Sequence, residues 1–486
     1  MLITMPSQRQ TIGLLACLSI ASFFLTAVMR RDSPGFFKFY EPTHDVPQGS
    51  AKPEKHPLYK PVPEYEPPPI KDNFPLLATS QPPAIPKWNV PRKGLYKEYD
   101  LPVAPPLLIG FSRTWPLLLQ AVTSYITAGW PADQIYVVEN TGVQQANTRG
   151  QLTLQNPFYL NHTTLKTLGV NIIQTPTLLS FAQLQNFFLS LTYSHDWPYY
   201  FWSHMDVLAL SYEDGHEATP KYNEEGYKSL YTLALQALRQ ARTQDPRWGI
   251  RFFAYDHLAL VNPAAYEDVG GWDTLIPYYI TDCDMHSRLG MRNWTMLNAQ
   301  AGIITDVSTT LDDLAALYRL EGVEARFTDP NPPPPEKEDG KKKNSRDMLA
   351  DVVRRDRSAG RLPPSTMLGK RQRVSVYRGD LHERDDDEKK EDENIGRWRK
   401  LLSTADTMFH YKHGNRGRNT WQTGQHGGQG EPFYYNAAGL AEAIDLATEN
   451  GKEVFRRKWG HRDCDLHSGA GLEFGDQWLV EKDWKR

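Results

Sequence analysis

The chain has 486 residues, with 55 Lys and Arg against 58 Asp and Glu, and 40% of its residues are hydrophobic. The near-balance of charge excludes the strongly basic surface that nucleic-acid binding needs, and any one-sided attraction to an acidic partner, so a partner has to be read from a site. The length would hold two or three ordinary domains, but long polar stretches interrupt the apolar pattern and one large core is expected.

Residues 11–29 carry no ionisable side chain apart from Cys17. About 19 residues at ~1.5 Å each just span a thin bilayer, which predicts a transmembrane anchor behind a short cytosolic tail, residues 1–10. A cleaved signal peptide is the alternative, with Leu25-Thr26-Ala27 as its small-residue site. Arg9 lies before the segment and Arg30 and Arg31 after it, so the excess of positive charge does not fix orientation. The sequons Asn161-His162-Thr163 and Asn293-Trp294-Thr295 predict glycosylation at Asn161 and Asn293, and with it a lumenal C-terminal bulk. Residues 30–106 are dense in proline, as in Pro67-Pro68-Pro69 and Pro82-Pro83, and read as an extended stem. A disordered tail without a spacing role is the alternative there.

Leu107-Leu108-Ile109-Gly110-Phe111 predicts the first buried strand, and Pro116 then opens a helix carrying Leu118, Ala121, Val122 and Tyr125. Strands follow at Ile135-Tyr136-Val137-Val138 and at residues 170–173. Ser180 and Gln183 have capping-box spacing and open a helix with Phe181, Leu184, Phe188 and Leu191 on one side. Residues 199–206, an aromatic run that ends abruptly in Asp206, predict a fourth strand. Residues 223–242 read as a helix and 252–262 as a strand region. Short apolar strands alternating with amphipathic helices predict an α/β fold, a mostly parallel Rossmann-like sheet with helices on both faces. Its strand-end polar residues, Ser112 and Arg113, Glu139 and Asn140, and Asp206, should share the edge where such sheets take ligands.

From residue 329 the pattern stops. Residues 329–397 hold Asn331-Pro332-Pro333-Pro334-Pro335, a lysine run and an almost wholly charged stretch, and read as a charged, mostly disordered insertion with one amphipathic helix at 346–357. Residues 398–486 form a C-terminal extension, with a Gly/Gln-rich loop at 415–430 and a helix bearing Leu440, Ile444 and Ala447. Asp282-Cys283-Asp284-Met285-His286-Ser287 nearly recurs as Asp463-Cys464-Asp465-Leu466-His467-Ser468. A lumenal disulfide between Cys283 and Cys464, the only cysteines outside residues 11–29, is one reading of this. A shared carboxylate–histidine metal site is another, and chance similarity a third.

Several segments in order resemble a family 2 glycosyltransferase of GT-A fold, over about residues 107–306. They are Gly110-Phe111-Ser112-Arg113-Thr114-Trp115-Pro116, Val137-Val138-Glu139-Asn140, Asn186 before the fourth strand, and Ser203-His204-Met205-Asp206 in the place of an Asp-x-Asp motif. Val269-Gly270-Gly271-Trp272-Asp273 and the acidic stretch from Tyr278 through Asp282 and Asp284 to Arg288 complete the set. The resemblance implies that residues 107–328 form a catalytic domain taking a nucleoside-diphosphate sugar. Phe111, Ser112, Arg113 and Glu139 would then meet the base and ribose, and Asn140, Asn186, Gly271 and Trp272 would complete the donor site. Hard oxygen ligands suit Mn²⁺ or Mg²⁺ at the diphosphate, with Asp206 as ligand, His204 standing where the family has its first Asp, and His410 or His413 completing the shell. The loop at 415–430 would close over the donor. Asp282 would be the general base of an inverting transfer, with Asp284 as the other candidate.

The reading that follows is a single-pass type II glycosyltransferase of the Golgi membrane, or of the endoplasmic reticulum, glycosylating a glycan, glycoprotein or glycolipid. A non-catalytic lumenal scaffold or carbohydrate-binding protein of the same fold is the rival, and a nucleotidyltransferase a third reading. Each residue also has a plainer role: Asp206 as an acid capping a neighbouring helix, Asp282 as a helix N-terminal acid, His410 and His413 as unliganded surface histidines.

Overall fold

The computed structural model describes residues 56–59, 61, 71–328, 392–414, 427–431 and 436–484. The chain divides into two compact units, Met1–Glu64 and Tyr65–Arg486, and all the helices and strands described belong to the second. The expected tail and anchor, the 346–357 helix and most of the 415–430 loop lie outside the described residues. Among the described residues no helix is long and apolar enough to cross a membrane.

The strands are β1 (Leu107–Phe111), β2 (Ile135–Glu139), β3 (Asn171–Gln174), β4 (Tyr200–Ser203), β5 (Val207–Leu210), β6 (Trp248–Phe252), β7 (Leu258–Val261), β8 (Thr295–Asn298) and β9 (Ile303–Asp306). The helices are α1 (Trp115–Thr127), α2 (Gln144–Thr148), α3 (His162–Thr167), α4 (Phe181–Ser194), α5 (Leu230–Gln244), α6 (Pro263–Asp268), α7 (Thr281–Met291), α8 (Glu393–His413) and α9 (Ala437–Trp459). The main sheet runs β3-β2-β1-β4-β7-β6-β8. It is parallel except for β7, which is antiparallel to β4 and β6. β5 and β9 form a second, antiparallel pair.

Side chains alternate across the sheet, and the two faces bury different partners. Leu107, Ile109 and Phe111 pack with Leu118 and Val122 of α1 and Leu235 and Leu238 of α5, whereas Leu108 packs with Phe188 of α4, Tyr266 of α6 and Met285 of α7. Covering on both faces is why these strands read as continuous apolar runs. α4 opens on the expected capping box, with both the Ser180 and the Gln183 bonds present.

Four boundaries depart from the sequence reading. The 199–206 run is not one strand: β4 stops at Ser203, and from Asp206 the backbone pairs with β9, the Val307 N–H donating to the Asp206 carbonyl at 2.9 Å. Residues 252–262 form a hairpin, β6 and β7 around a turn at Tyr255–His257, and α5 begins only at Leu230, capped by the Ser229 side chain. The fold also begins before Leu107. Phe74, Leu95 and Leu101 belong to the core, and Asn89 donates to the Thr127 carbonyl and to Glu213 at 2.9 Å each. This segment runs in short 3-10 turns, two of them opened by Pro75 and Pro86, so its core residues recur with no helical or strand period.

At the other end, Phe455 and Trp459 of α9 form a separate apolar cluster with Ile276, Met291, Leu466 and Leu472. Cys283 and Cys464 are joined in a disulfide across the same contact, with Cα atoms 5.0 Å apart. The C-terminal extension is thereby clasped to the acidic stretch of α7.

Candidate active site

From β1 the sheet continues through β2 and β3 on one side and through β4 on the other. Strand order reverses there, which opens a crevice at the carboxyl ends of β1 and β4. Ser112 and Arg113 leave β1 at that edge, and His204 and Asp206 leave β4. Because β7 is antiparallel, its beginning lies at the same edge, Leu258 opposite Ser203, and the β6–β7 turn brings Asp256 and His257 there. The Ser203 hydroxyl fixes the turn by donating to the His257 carbonyl at 2.9 Å. β9 adds Asp306, paired in register with Val207, and the last turn of α8 adds Lys412 and His413.

These groups form one buried ionic centre. Asp206, Asp306 and Lys412 are 5%, 3% and 2% exposed. The Lys412 ammonium donates to Asp206 Oδ2 at 2.7 Å, to Asp306 Oδ1 at 2.5 Å and to the Val307 carbonyl at 3.4 Å. His413 Nε2 lies 2.8 Å from Asp306 Oδ2, and His257 Nε2 lies 3.6 Å from the same oxygen. His204 is between two acids, Nδ1 3.6 Å from Asp206 and Nε2 3.7 Å from Asp256. Burial alone would depress its pKa, but Asp256 and Asp206 outweigh that and push it up to about 10. Burial and the charge of His204 together lower the His257 pKa. Asp206 is held well below the usual carboxylate range by His204 and Lys412 despite its burial.

A divalent cation does not fit this centre. One oxygen of each carboxylate it would need already holds the Lys412 ammonium, which has three protein acceptors in Asp206, Asp306 and the Val307 carbonyl, so a metal could enter only by expelling that ammonium. Among the described residues no group of three or more His, Cys, Asp or Glu side chains is arranged to hold a metal. His410, expected as a ligand, is directed elsewhere: its Nδ1 is 2.8 Å from the Asp406 carbonyl and its side chain is 63% exposed. Of the two C-terminal histidines only His413 reaches the centre.

The expected nucleotide contacts are also redistributed. Phe111 is a core residue with no exposed surface. Glu139 is fully buried, and four donors occupy its carboxylate: Thr141 at 3.2 Å and Asn147 at 2.8 Å on one oxygen, His162 and Gln174 at 2.9 Å on the other. Four donors fill its in-plane lone-pair positions, so Glu139 ties β2 to α2, α3 and β3 rather than meeting a base. Asn140 exchanges two hydrogen bonds with the Leu179 backbone and pins the chain ahead of α4. Ser112 is half-buried, and Arg113 is buried with its pKa lowered by desolvation, against the influence of Tyr278.

The two acids of α7 separate cleanly. Asp282, in the first turn, is half-buried and accepts a 2.6 Å hydrogen bond from the Tyr255 hydroxyl. Asp284 has no exposed surface. It pairs with Arg288 at 2.7 Å and Lys458 at 2.7 Å and accepts from Trp459 Nε1 at 2.9 Å. Asp284 is therefore a structural tie between α7 and α9 and is not placed to take a proton from a substrate. Asn186 holds the glycine turn from α4, its amide bonding both the carbonyl and the N–H of Trp272 at 2.9 and 2.8 Å. Gly271 has φ +71°, and a Cβ there would meet Asn186 Oδ1 at 2.8 Å, which only glycine avoids. Trp272 itself is buried against Phe181 and Tyr266. The sequon asparagines differ in setting: Asn161 caps α3 through its side chain, and Asn293 is exposed with a left-handed backbone.

Asp306, Lys412, Asp256, His257 and Tyr255 are absent from the sequence reading. Asp306 ends an apolar run, Ile303-Ile304-Thr305-Asp306, by the same pattern that drew attention to Asp206. Lys412 falls on the buried stripe Leu401, Ala405, Met408 of α8, where a lysine demands a carboxylate partner. A cavity of about 530 Å³ lies elsewhere, against α5, lined by Tyr99, Lys228, Gln236 and Arg239 among others, and touches none of these residues.

No known protein family matches the chain, and no curated protein does. Among solved structures, a mannosyltransferase from Pyrobaculum calidifontis, determined with GDP-Man and Mn²⁺, is 14% identical with a TM-score of 0.26, over 42% of this chain and 60% of that one. A cytidylyltransferase from Leptospira borgpetersenii is 8% identical with a TM-score of 0.24, over 40% of this chain and 75% of that one. The chain thus spans about 60% of the mannosyltransferase's length. Both likenesses are too faint to bear on this chain's chemistry.

Proposed function

We propose that the chain is a glycosyltransferase that moves a sugar from a nucleoside-diphosphate donor to an acceptor hydroxyl. The observation that carries the reading is the crevice between β1 and β4, where Ser112, Arg113, His204 and Asp206 converge at the strand ends. Asp282 is the general base. The β6–β7 turn connects it to the crevice, Tyr255 touching Asp282 while the adjacent Asp256 faces His204.

In the transfer, the acceptor oxygen attacks the anomeric carbon and its proton passes to the Asp282 carboxylate. The bond from that carbon to the diphosphate oxygen breaks, and the nucleoside diphosphate leaves with the bonding pair, so the anomeric configuration inverts. A positioned carboxylate base contributes about 10²–10⁴-fold to such a step. The Cys283–Cys464 disulfide suits an oxidising lumen, in keeping with a Golgi or endoplasmic-reticulum setting.

The test is a panel of UDP- and GDP-sugars with nucleotide release as readout, wild type beside Asp282→Asn. Release from one donor, falling 10²–10⁴-fold in the variant, is expected. Absence of both release and nucleotide binding would overturn the reading in favour of a non-catalytic scaffold or carbohydrate-binding protein. The closed hydrogen bonding of Glu139 is the observation that favours that second reading.

A further inference from the structure

We propose that Lys412 is the resident cation of the Asp206 centre, and that the chain binds and turns over its nucleotide donor without a divalent metal; the turnover half of this rests on the transferase reading above. Asp306 ends β9 and Asp206 lies in the link between β4 and β5, next to it across the β5–β9 pair, and two buried carboxylates stay ionised side by side only with a cation between them. The Lys412 ammonium is that cation, 2.7 Å from one and 2.5 Å from the other. Its burial is set by the helix, since Lys412 continues the stripe on which Leu401, Ala405 and Met408 enter the core. A side chain entering there cannot carry its charge out to solvent.

A metal entering the centre would have to expel the ammonium from its two carboxylates and leave it unpaired in the interior. Lysine and the divalent ion are thus alternative occupants of one place. What faces a diphosphate from the rim is then imidazole, His204 and His413, whose side chains keep 30% and 27% of their surface. Without the ammonium, Asp206 and Asp306 would be left as two uncompensated buried carboxylates, hard oxygen donors that draw a divalent ion in once their side chains shift.

The full chain is titrated with Mn²⁺, and free Mn²⁺ is followed by electron paramagnetic resonance. Nucleotide release is measured in parallel with chelator and with added Mn²⁺. Wild type is expected to leave the free-Mn²⁺ signal undiminished to millimolar concentration, and to release nucleotide at rates within about twofold under the two conditions. Lys412→Met is expected to bind one Mn²⁺ per chain. One tightly bound Mn²⁺ in wild type, or release that falls tenfold or more in chelator and returns with Mn²⁺, overturns the proposal. A folded Lys412→Met that binds no Mn²⁺ also counts against it. Should that variant fail to fold, the wild-type arms decide alone. A chain that consumes no donor and binds no nucleotide defeats the transferase reading, while the resonance titration still tells whether the ammonium or a metal holds the centre.

Discussion

The sharpest separation of roles concerns two acids two residues apart on α7. Asp284→Asn keeps the shape of the side chain and removes its charge from a site with no exposed surface. Arg288 and Lys458, each 3% exposed, then lose the carboxylate they share, although Arg288 keeps the Val269 and Gly271 carbonyls and Lys458 keeps Asp273. Removing one partner of a buried pair costs about 3–5 kcal/mol, so the unfolded-to-folded ratio should rise by roughly 10²–10⁴-fold. Asp282→Asn touches a half-buried carboxylate whose described bond is to a tyrosine hydroxyl. Its stability should stay within about 0.5 kcal/mol of wild type while turnover falls about 10²–10⁴-fold. Urea denaturation followed by tryptophan fluorescence, beside a nucleotide-release assay, reads both quantities. An Asp284→Asn protein that unfolds at the wild-type urea concentration yet has lost turnover would refute the reasoning and make Asp284 the base.

Three further outcomes follow from the same contacts. Gly271→Ala places a Cβ 2.8 Å from Asn186 Oδ1 at φ +71°, and should destabilise the chain by more than about 1 kcal/mol in the same denaturation assay. Cys283→Ser opens a loop closed across a sequence separation of 181 residues, for which chain entropy sets an upper figure of about 5 kcal/mol. A lower denaturation midpoint, and the loss of a mobility difference between reduced and non-reduced gels, would check it. Asp273 has its pKa lowered from 3.8 by the Lys458 contact in spite of partial burial. A depressed carboxylate stabilises fully above its unfolded value and loses that contribution as pH falls through its folded value, so stability should drop below about pH 4. Asp273→Asn should flatten that part of the stability-versus-pH curve.

Local signals located β1, β2 and the start of α4 well, because strands covered on both faces are uniformly apolar and the capping box of Ser180 and Gln183 is self-contained. They failed where pairing is set by distant chain. Nothing within residues 199–206 says that β4 stops at Ser203; the reason is β9, about a hundred residues further on. The same distance hid the Asp206–Lys412 pair, which joins positions 206 apart. Proline density made residues 71–106 look like pure stem, yet Phe74, Leu95 and Leu101 enter the core singly, without a period to betray them. Glu139 and Asp284 show the converse limit. An acid at a strand or helix end looks alike in sequence whether its oxygens face a ligand or are filled by protein donors, and only the neighbours decide.

The claim that the β1–β4 crevice takes a nucleotide is tested most directly by hydrogen–deuterium exchange with and without UDP or GDP. Slower exchange confined to residues 111–116 and 203–207, together with the β6–β7 turn, is the result predicted. Protection against α5 at the Lys228 and Arg239 cavity instead, or no protection by either nucleotide, would contradict it.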